Sequence, residues 1–515
     1  MTTTSENNKR IAKNTLLLYF RMMLTMIVSL YTSRVVLSAL GVEDFGIYNV
    51  VGGVVAMFSI LSGSLSSAIS RFITYELGKG NTDKLKNIFS SSVTIQIALG
   101  FIIALIAESI GLWFLNVKMN IPESRMIAAN WVFQFSIITF IINLISVPYN
   151  AAIIAHEKMS AFAYISILEV TGKLLIAYLI VISPIDKLIF YAILMCVIAM
   201  IIRLVYGIYC KKHFEECTYK FILDKRLLRE MFGFAGWNFI GASSVILRDQ
   251  GGNIIINLFC GPTVNAARGI ASQVNTAIHG FVTNFMTALN PQITKSYASG
   301  NQDYMMTLIF QGARLSFYML LILSLPVIIN AQYILELWLD QVPEHTTLFV
   351  QLILIFAMSE SISSPLITAM LATGNIKNYQ LIVGGLQMMN LPLSYISLKM
   401  GCIPASVIII AIIISQCCLA ARLLLLKNMI QLSIKQYIRK VYANVIIVSL
   451  VSLIIPVFII NNTNITFTDF ITHSIICILC TMITIYFIGC SSNERSIINK
   501  RFVKVKHLIY KSLFT

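Results

Sequence analysis

The sequence predicts an all-α, polytopic membrane protein of about fourteen transmembrane helices: two six-helix lobes in parallel repeat, with two appended C-terminal helices. Three observations carry this. The 515 residues are 57% hydrophobic and 12% charged, about half the charged share of a soluble domain. Apolar runs long enough to cross roughly 30 Å of hydrocarbon recur from end to end. Two loop motifs return at a single offset of 220 residues.

Taken in order, spans are expected at 14–38, 45–70, 88–115, 127–150, 161–183, 187–209, 231–258, 265–290, 305–330, 347–370, 376–398, 403–426, 438–460 and 467–490. The polar start MTTTSENNKR leads into a full-length span, so no cleavable signal is expected. The net charge of +16 raises the question of nucleic acid, and its placement answers it. Outside the spans, Lys and Arg concentrate in both tails and the even-numbered loops; the odd loops hold only Lys118, Arg125, Lys187 and Lys399. Basic residues stay on the cytoplasmic side, so both termini are expected there. The basicity records topology and contact with membrane lipids, not nucleic-acid binding. Most of the ten cysteines lie in spans or in the 211–230 loop, which argues against a disulfide framework, and the isolated Cys477-x-x-Cys480 reads as packing rather than a metal site. No metal or other cofactor is expected.

The repeat pairs GVEDFGIYN…ITYELGKGNTD (41–83) with GPTVNAARG…ITKSYASGNQD (261–303). Gly41/Gly261, Ile73/Ile293, Thr74/Thr294, Gly80/Gly300, Asn81/Asn301 and Asp83/Asp303 are identical. An offset containing six spans keeps the two halves in the same orientation, as in transporters duplicated about the membrane normal. The expected organisation is an N-terminal lobe (1–210), a cytoplasmic linker (211–230), a C-terminal lobe (231–427), two appended helices (428–490) and a basic cytoplasmic tail (491–515).

The stretches N-T-L-L-L-Y-F (14–20), S-R-V-V-L-S-A-L-G-V-E-D-F-G-I-Y-N-V-V-G-G (33–53) and G-K-G-N-T-D-K-L-K (78–86) resemble the start of bacterial O-antigen and capsule repeat-unit flippases. These belong to the multidrug/oligosaccharidyl-lipid/polysaccharide exporter superfamily. The resemblance implies two lobes around a cavity open alternately to either side, in the inner membrane. It also implies an undecaprenyl-pyrophosphate-linked oligosaccharide as substrate, with a polysaccharide polymerase and glycosyltransferases as partners.

Leaving aside Lys187, Lys377, Arg439, Lys440 and Asp469 at span starts, the basic residues in the spans are Arg21, Arg34, Lys173, Arg203, Arg248, Arg268, Arg314 and Arg422, with Arg71 directly after a span, against the acidic Glu108, Glu169, Asp249 and Glu360. Buried ionisable groups are costly and mark cavities or pairs. Arg71, Arg203 and Arg422 lie near span ends and can snorkel. Glu169 and Lys173 are spaced for a helical pair. Arg248 and Asp249 each lie about ten residues from the nearer end of their span. On a helical wheel Asn238, Ala242 and Asn253 fall within about 40° of Asp249, a polar stripe that reads as a cavity wall. The structural alternative is an Arg–Asp bond, yet adjacent residues do not face one another on a helix, so that pairing reads as strained. Arg21 shares a polar stripe with Asn14, Thr25 and Thr32; Arg34 and Arg268 lie near the outer ends of their spans, where snorkelling and a place at the cavity mouth both fit. In the eighth span Gln273, Asn275, His279 and Asn284 add hydrogen-bonding groups, and Glu360 suits either pairing with Arg314 or carrying a proton. The candidate substrate-binding set is therefore Arg248, Asp249, Asn253, Arg21, Arg34 and Arg268. An arginine excess suits a phosphate-bearing anion.

The leading expectation is a flippase for that glycolipid, not an enzyme. Alternatives are a drug/cation antiporter of the same superfamily, which would want carboxylates in the first lobe, and a membrane polymerase or glycosyltransferase, for which no loop supplies a sizeable catalytic segment. No G-x-x-x-x-G-K-[ST] motif is present to bind ATP.

Overall fold

The computed structural model describes residues 4–499, except ten positions within 42–57, the stretches 118–120, 222–223, 340–341 and 460–465, and positions 493, 497 and 498. The side chains of some further helical residues, Arg34 among them, also lie outside the description. Every regular element among the described residues is helical. Among the described residues eleven helices are long and apolar enough to cross a membrane, and each coincides with one expected span. Of the other three, the second is described as Ser59–Lys79, its start falling among the excluded positions. The seventh and eighth form one helical run, Lys225–Ala298, whose polar residues lower its hydropathy. The chain is a multi-pass membrane protein.

A straight helix of 74 residues would be about 110 Å long. This run is not straight. Arg268 reaches back to donate to the Asp249 carbonyl at 3.4 Å, and Ile255, Ile256, Ala267 and Ala271 share one apolar cluster. The chain therefore reverses between Ile256 and Ala267, where the turn between two spans was expected.

The two G-N-x-D motifs build the same turn twice. Gly80 and Gly300 both take the left-handed conformation, with φ of 73° and 75°. In the first copy the Gly80 and Asn81 amides donate back to Leu77 and Glu76 carbonyls; in the second, Gly300 and Asn301 donate to Tyr297 and Ser296. This closes each helix with the bond pattern that a left-handed glycine allows. Asn81 then caps the next helix by accepting from the Lys84 amide, and Asn301 does so from Tyr304. Thr74 and Thr294 match too, each bonding a carbonyl four residues back. Two residues thus end one span and start another, which is why this motif survives in both repeats.

Packing divides the chain into two compact units that are discontinuous in sequence. The first comprises Met1–Val245, Thr287–Met305 and Thr368–Gly384; the second comprises Ile246–Met286, Met306–Ile367 and Gly385–Thr515. In the first unit, Ala107, Ala129, Val132, Phe133 and Leu188 form the main apolar core. The loop residue Asp44 of the GVEDFG motif is explained here: Arg125 bridges Asp44 and Asp186 with bonds of 2.5–2.7 Å. Asp186 also caps the Lys187–His213 helix through the Leu188 and Ile189 amides. Lys173 and Glu169 form the expected pair at 2.6 Å.

The first unit also brings first-repeat and second-repeat residues together. The Glu157 carboxylate receives Arg10 and Lys295, both at 2.7 Å, and Gln292 at 2.5 Å. Arg71 donates to the Ala372 carbonyl and lies on the rings of Phe72, Tyr75 and Phe234. It is thus held by partners, not snorkelling.

In the second unit, Ile256, Ala271, Phe349 and Leu354 anchor the core. The appended helices Ala443–Ile459 and Phe467–Thr484 join it through Tyr318, which donates to Asn444 and to the Gly489 carbonyl, and through Arg314, paired with Glu494 at 2.8 Å. Arg314 is therefore not the partner of Glu360. Arg422, also read as snorkelling, is 1% exposed and lies inside the unit.

Candidate substrate-binding cavity

A cavity of about 280 Å³ opens within the second unit. Its polar lining comes from Arg248, Asp249, Asn253 and Arg268 on the doubled-back helix, Ser272, Asn275 and Thr276 further along it, and Asn390 and Ser394 from Asn390–Lys399. Phe356, Ile353, Leu391, Val407, Ile408 and Ala411 supply the apolar wall. The reversal after Ile256 makes this site: it lays the stripe of the seventh span beside that of the eighth.

Arg248 is half of a bonded pair, against the expectation of strain. Its Nε donates to Asp249 Oδ1 at 2.8 Å and its Nη2 to Oδ2 at 3.3 Å. The side chain is long enough to curl around the helix and bridge the 100° between neighbours, a geometry that short side chains cannot reach. Its remaining edge faces Glu360 at 4.0 Å, and its plane lies 4.9 Å above Phe356. Glu360 itself accepts from Ser415 at 2.6 Å, in a polar chain that continues through Ser359 and Gln416 to Tyr442. The Arg248 charge is thus matched by two carboxylates.

Arg268 is different. It is 9% exposed, its Nη2 donates to the Asp249 carbonyl at 3.4 Å, and its Nη1 has no partner among the described residues. The buried side-chain oxygens of Asn275 and Asn390 are also without partners there, although Asn390 donates its amide to Gln387. A desolvated guanidinium and two open amide acceptors are costly to leave unmatched. They suit a ligand that brings an anion and hydroxyl groups.

Of the six expected site residues, the cavity unites Arg248, Asp249, Asn253 and Arg268. Arg21 belongs to the first unit, where it contacts Ser166 at 3.4 Å and lies over Phe162. The Arg34 side chain lies outside the described residues. Asn390 and Ser394 were not expected. The only signal for them is the polar N-L-P-L-S interruption of the eleventh span, which spacing alone could not place against Arg248.

A family described as "Polysaccharide biosynthesis protein" matches residues 11–297. The chain is 20% identical over 309 residues to a Bacillus subtilis (strain 168) protein called "Uncharacterized membrane protein EpsK", over 59% of this chain and 60% of that protein's length. Its fold resembles that of a MATE transporter in a bent conformation, with a TM-score of 0.72 at 12% identity, over 84% of this chain and 98% of the other. A multidrug MATE transporter of the MOP superfamily in an outward-facing conformation gives 0.69 at 14% identity, over 82% and 96%. A MOP-superfamily transporter from Pyrococcus furiosus, described as having a binding pocket of reversed polarity, gives 0.69 at 13%, again over 82% and 96%. The fold is thus that of a MOP-superfamily transporter, and the family match covers more than half of the sequence: the chain belongs to the polysaccharide biosynthesis protein family.

Proposed function

We propose that the protein is a flippase that moves an undecaprenyl-pyrophosphate-linked oligosaccharide repeat unit across the bacterial inner membrane by alternating access. The observation that carries this reading is the cavity lined by Arg248, Arg268, Asn275 and Asn390, in whose wall the Nη1 of Arg268 and the amide oxygens of Asn275 and Asn390 are buried without partners among the described residues. Arginine's planar fork matches phosphate oxygens, and amides accept from sugar hydroxyls. The volume falls at the small end of ligand pockets, which run from about 300 Å³ upward, so it holds a headgroup segment while the polyprenyl chain stays in lipid. A cation antiporter would want a free carboxylate in the first lobe, whereas Glu169 there is paired with Lys173 and Glu108 accepts from Gln134.

In this reading the repeats are two lobes, 1–210 and 231–427, with both termini and the 211–230 linker cytoplasmic. The first-unit contacts of Glu157, Arg71 and Gly78 with second-repeat residues then form the cytoplasmic closure. The test is reconstitution. Proteoliposomes loaded with a labelled undecaprenyl-pyrophosphate oligosaccharide should expose it to an external glycosidase faster with the wild-type protein than with Arg268→Ala. Equal rates, or export of an organic cation with no glycolipid movement, would overturn the proposal.

A further inference from the structure

The sequence places two glycines, Gly251 and Gly252, directly after the Arg–Asp pair, inside a helix. Glycine in a helix interior is destabilising relative to alanine. Neither takes a positive φ, so backbone conformation does not explain them. Space explains Gly252. A Cβ built there would stand 2.6 Å from Nη2 and 2.9 Å from Cζ of Arg268, and closer still to Nη1. The guanidinium therefore turns its Nη1–Nη2 edge into the space that a side chain on Gly252 would fill. At Gly251 a Cβ would meet only the Cδ1 of Leu391, the end of a flexible side chain, at 2.6 Å.

We propose that Gly252 is a positioning residue for substrate recognition: its missing side chain is the seat that holds the Arg268 guanidinium in the cavity, and Arg268, not Arg248, is the group that receives the diphosphate. Arg248 has spent two of its edges on Asp249 and faces Glu360, so it acts as a fixed wall. Arg268 keeps a buried donor unspent. Any residue other than glycine at 252 fills the seat and pushes the fork aside, without touching the Arg248–Asp249 pair. The inference rests on the flippase reading, and the experiment separates the two.

Purified Gly252→Ala, Arg268→Ala, Arg268→Lys and the double variant Gly252→Ala/Arg268→Lys are compared with wild type. Binding is measured in detergent, with undecaprenyl pyrophosphate as probe and undecaprenol as the phosphate-free control. Wild type should prefer the diphosphate. Gly252→Ala should weaken that preference about tenfold or more, as expected for loss of a charged hydrogen bond, and should match Arg268→Ala while melting no lower than wild type. The thin lysine ammonium does not need the seat, so the double variant should bind no worse than Arg268→Lys alone, a rescue that a merely structural glycine would not show. If wild type fails to distinguish diphosphate from alcohol, the flippase reading fails. If it distinguishes them and Gly252→Ala does so equally well, the seat is refuted and the flippase reading stands. Should Gly252→Ala fold poorly, adding Arg268→Ala decides: recovered folding supports the clash with the guanidinium, and persistent misfolding overturns it.

Discussion

Gly78 and Ala298 occupy the same position in the two repeats, 220 residues apart, and they lie against each other. A Cβ built on Gly78 would stand 2.9 Å from the Cβ of Ala298 and 2.9 Å from the Cα of Lys295. The backbones of two helices meet there because one partner has no side chain.

Gly78→Ala should pry this contact apart, since the obstructing atoms include backbone that cannot step aside. With spin labels on the Lys/Arg-rich ends of the second and eighth spans, the distance distribution should shift to longer values. An unchanged distribution would mean that the contact does not hold the two repeats together.

Glu157 sits in the three-residue link between Met126–Ala155 and Met159–Leu179, with a left-handed φ of 59° and a side chain 1% exposed. Removing its charge leaves Lys295, itself mostly buried, without its counterion. Such losses typically cost about 3–5 kcal/mol; Arg10 is half-exposed and adds little. Glu157→Gln should therefore lower the melting temperature clearly, and Arg10→Gln only slightly. Equal small shifts would refute the ranking.

The two Gly-Asn turns should respond alike. Gly80→Ala and Gly300→Ala each force a Cβ into the left-handed region, at a cost of roughly 1–2 kcal/mol. Similar drops in denaturant resistance are expected from both. A large drop in one repeat alone would show that the turns are equivalent in shape but not in load.

Glu216 ties the linker to the end of the fourth span. Its carboxylate lies 2.5 Å from His156, whose ring stacks on Phe214. Burial alone would raise its pKa, but the bond with His156, helped by its own backbone amide and Lys86, holds it below the usual glutamate value. A depressed carboxylate stabilises the folded form above its unfolded pKa of about 4.3, and that stability is lost as pH falls through the folded value. Protease should thus spare the 211–230 linker at neutral pH and cut it in acid, while Glu216→Gln should be cut at neutral pH. Protection of that variant would sink the idea.

Linker sidedness is testable one residue away. Cys217 is 4% exposed and its thiol is pushed up by Cys210, which makes it a poor reporter. The Glu215 side chain is 88% exposed. Glu215→Cys should resist a membrane-impermeant maleimide in spheroplasts and react after permeabilisation. Reaction in both conditions would reverse the assigned topology.

Features that depend on neighbouring residues were legible in the sequence. Apolar length marks a span wherever it occurs, and the Gly80-Asn81 and Gly300-Asn301 turns follow from what glycine and asparagine do to their own backbone. The Glu169–Lys173 pair follows from helical spacing. The Arg–Asp pair and its polar stripe likewise marked a helix that lines the cavity. The roles within that stripe did not follow. Whether Arg248 is spent or available depends on Glu360 and Phe356, about 110 residues away in the chain, and the use of Gly252 depends on a reversal that returns Arg268 to it. Local sequence carries the cost of burying a charge but not the identity of the group that offsets it. That partner is chosen by packing, so only the tertiary structure separated the arginine bound to its neighbour from the arginine whose Nη1 has no partner among the described residues.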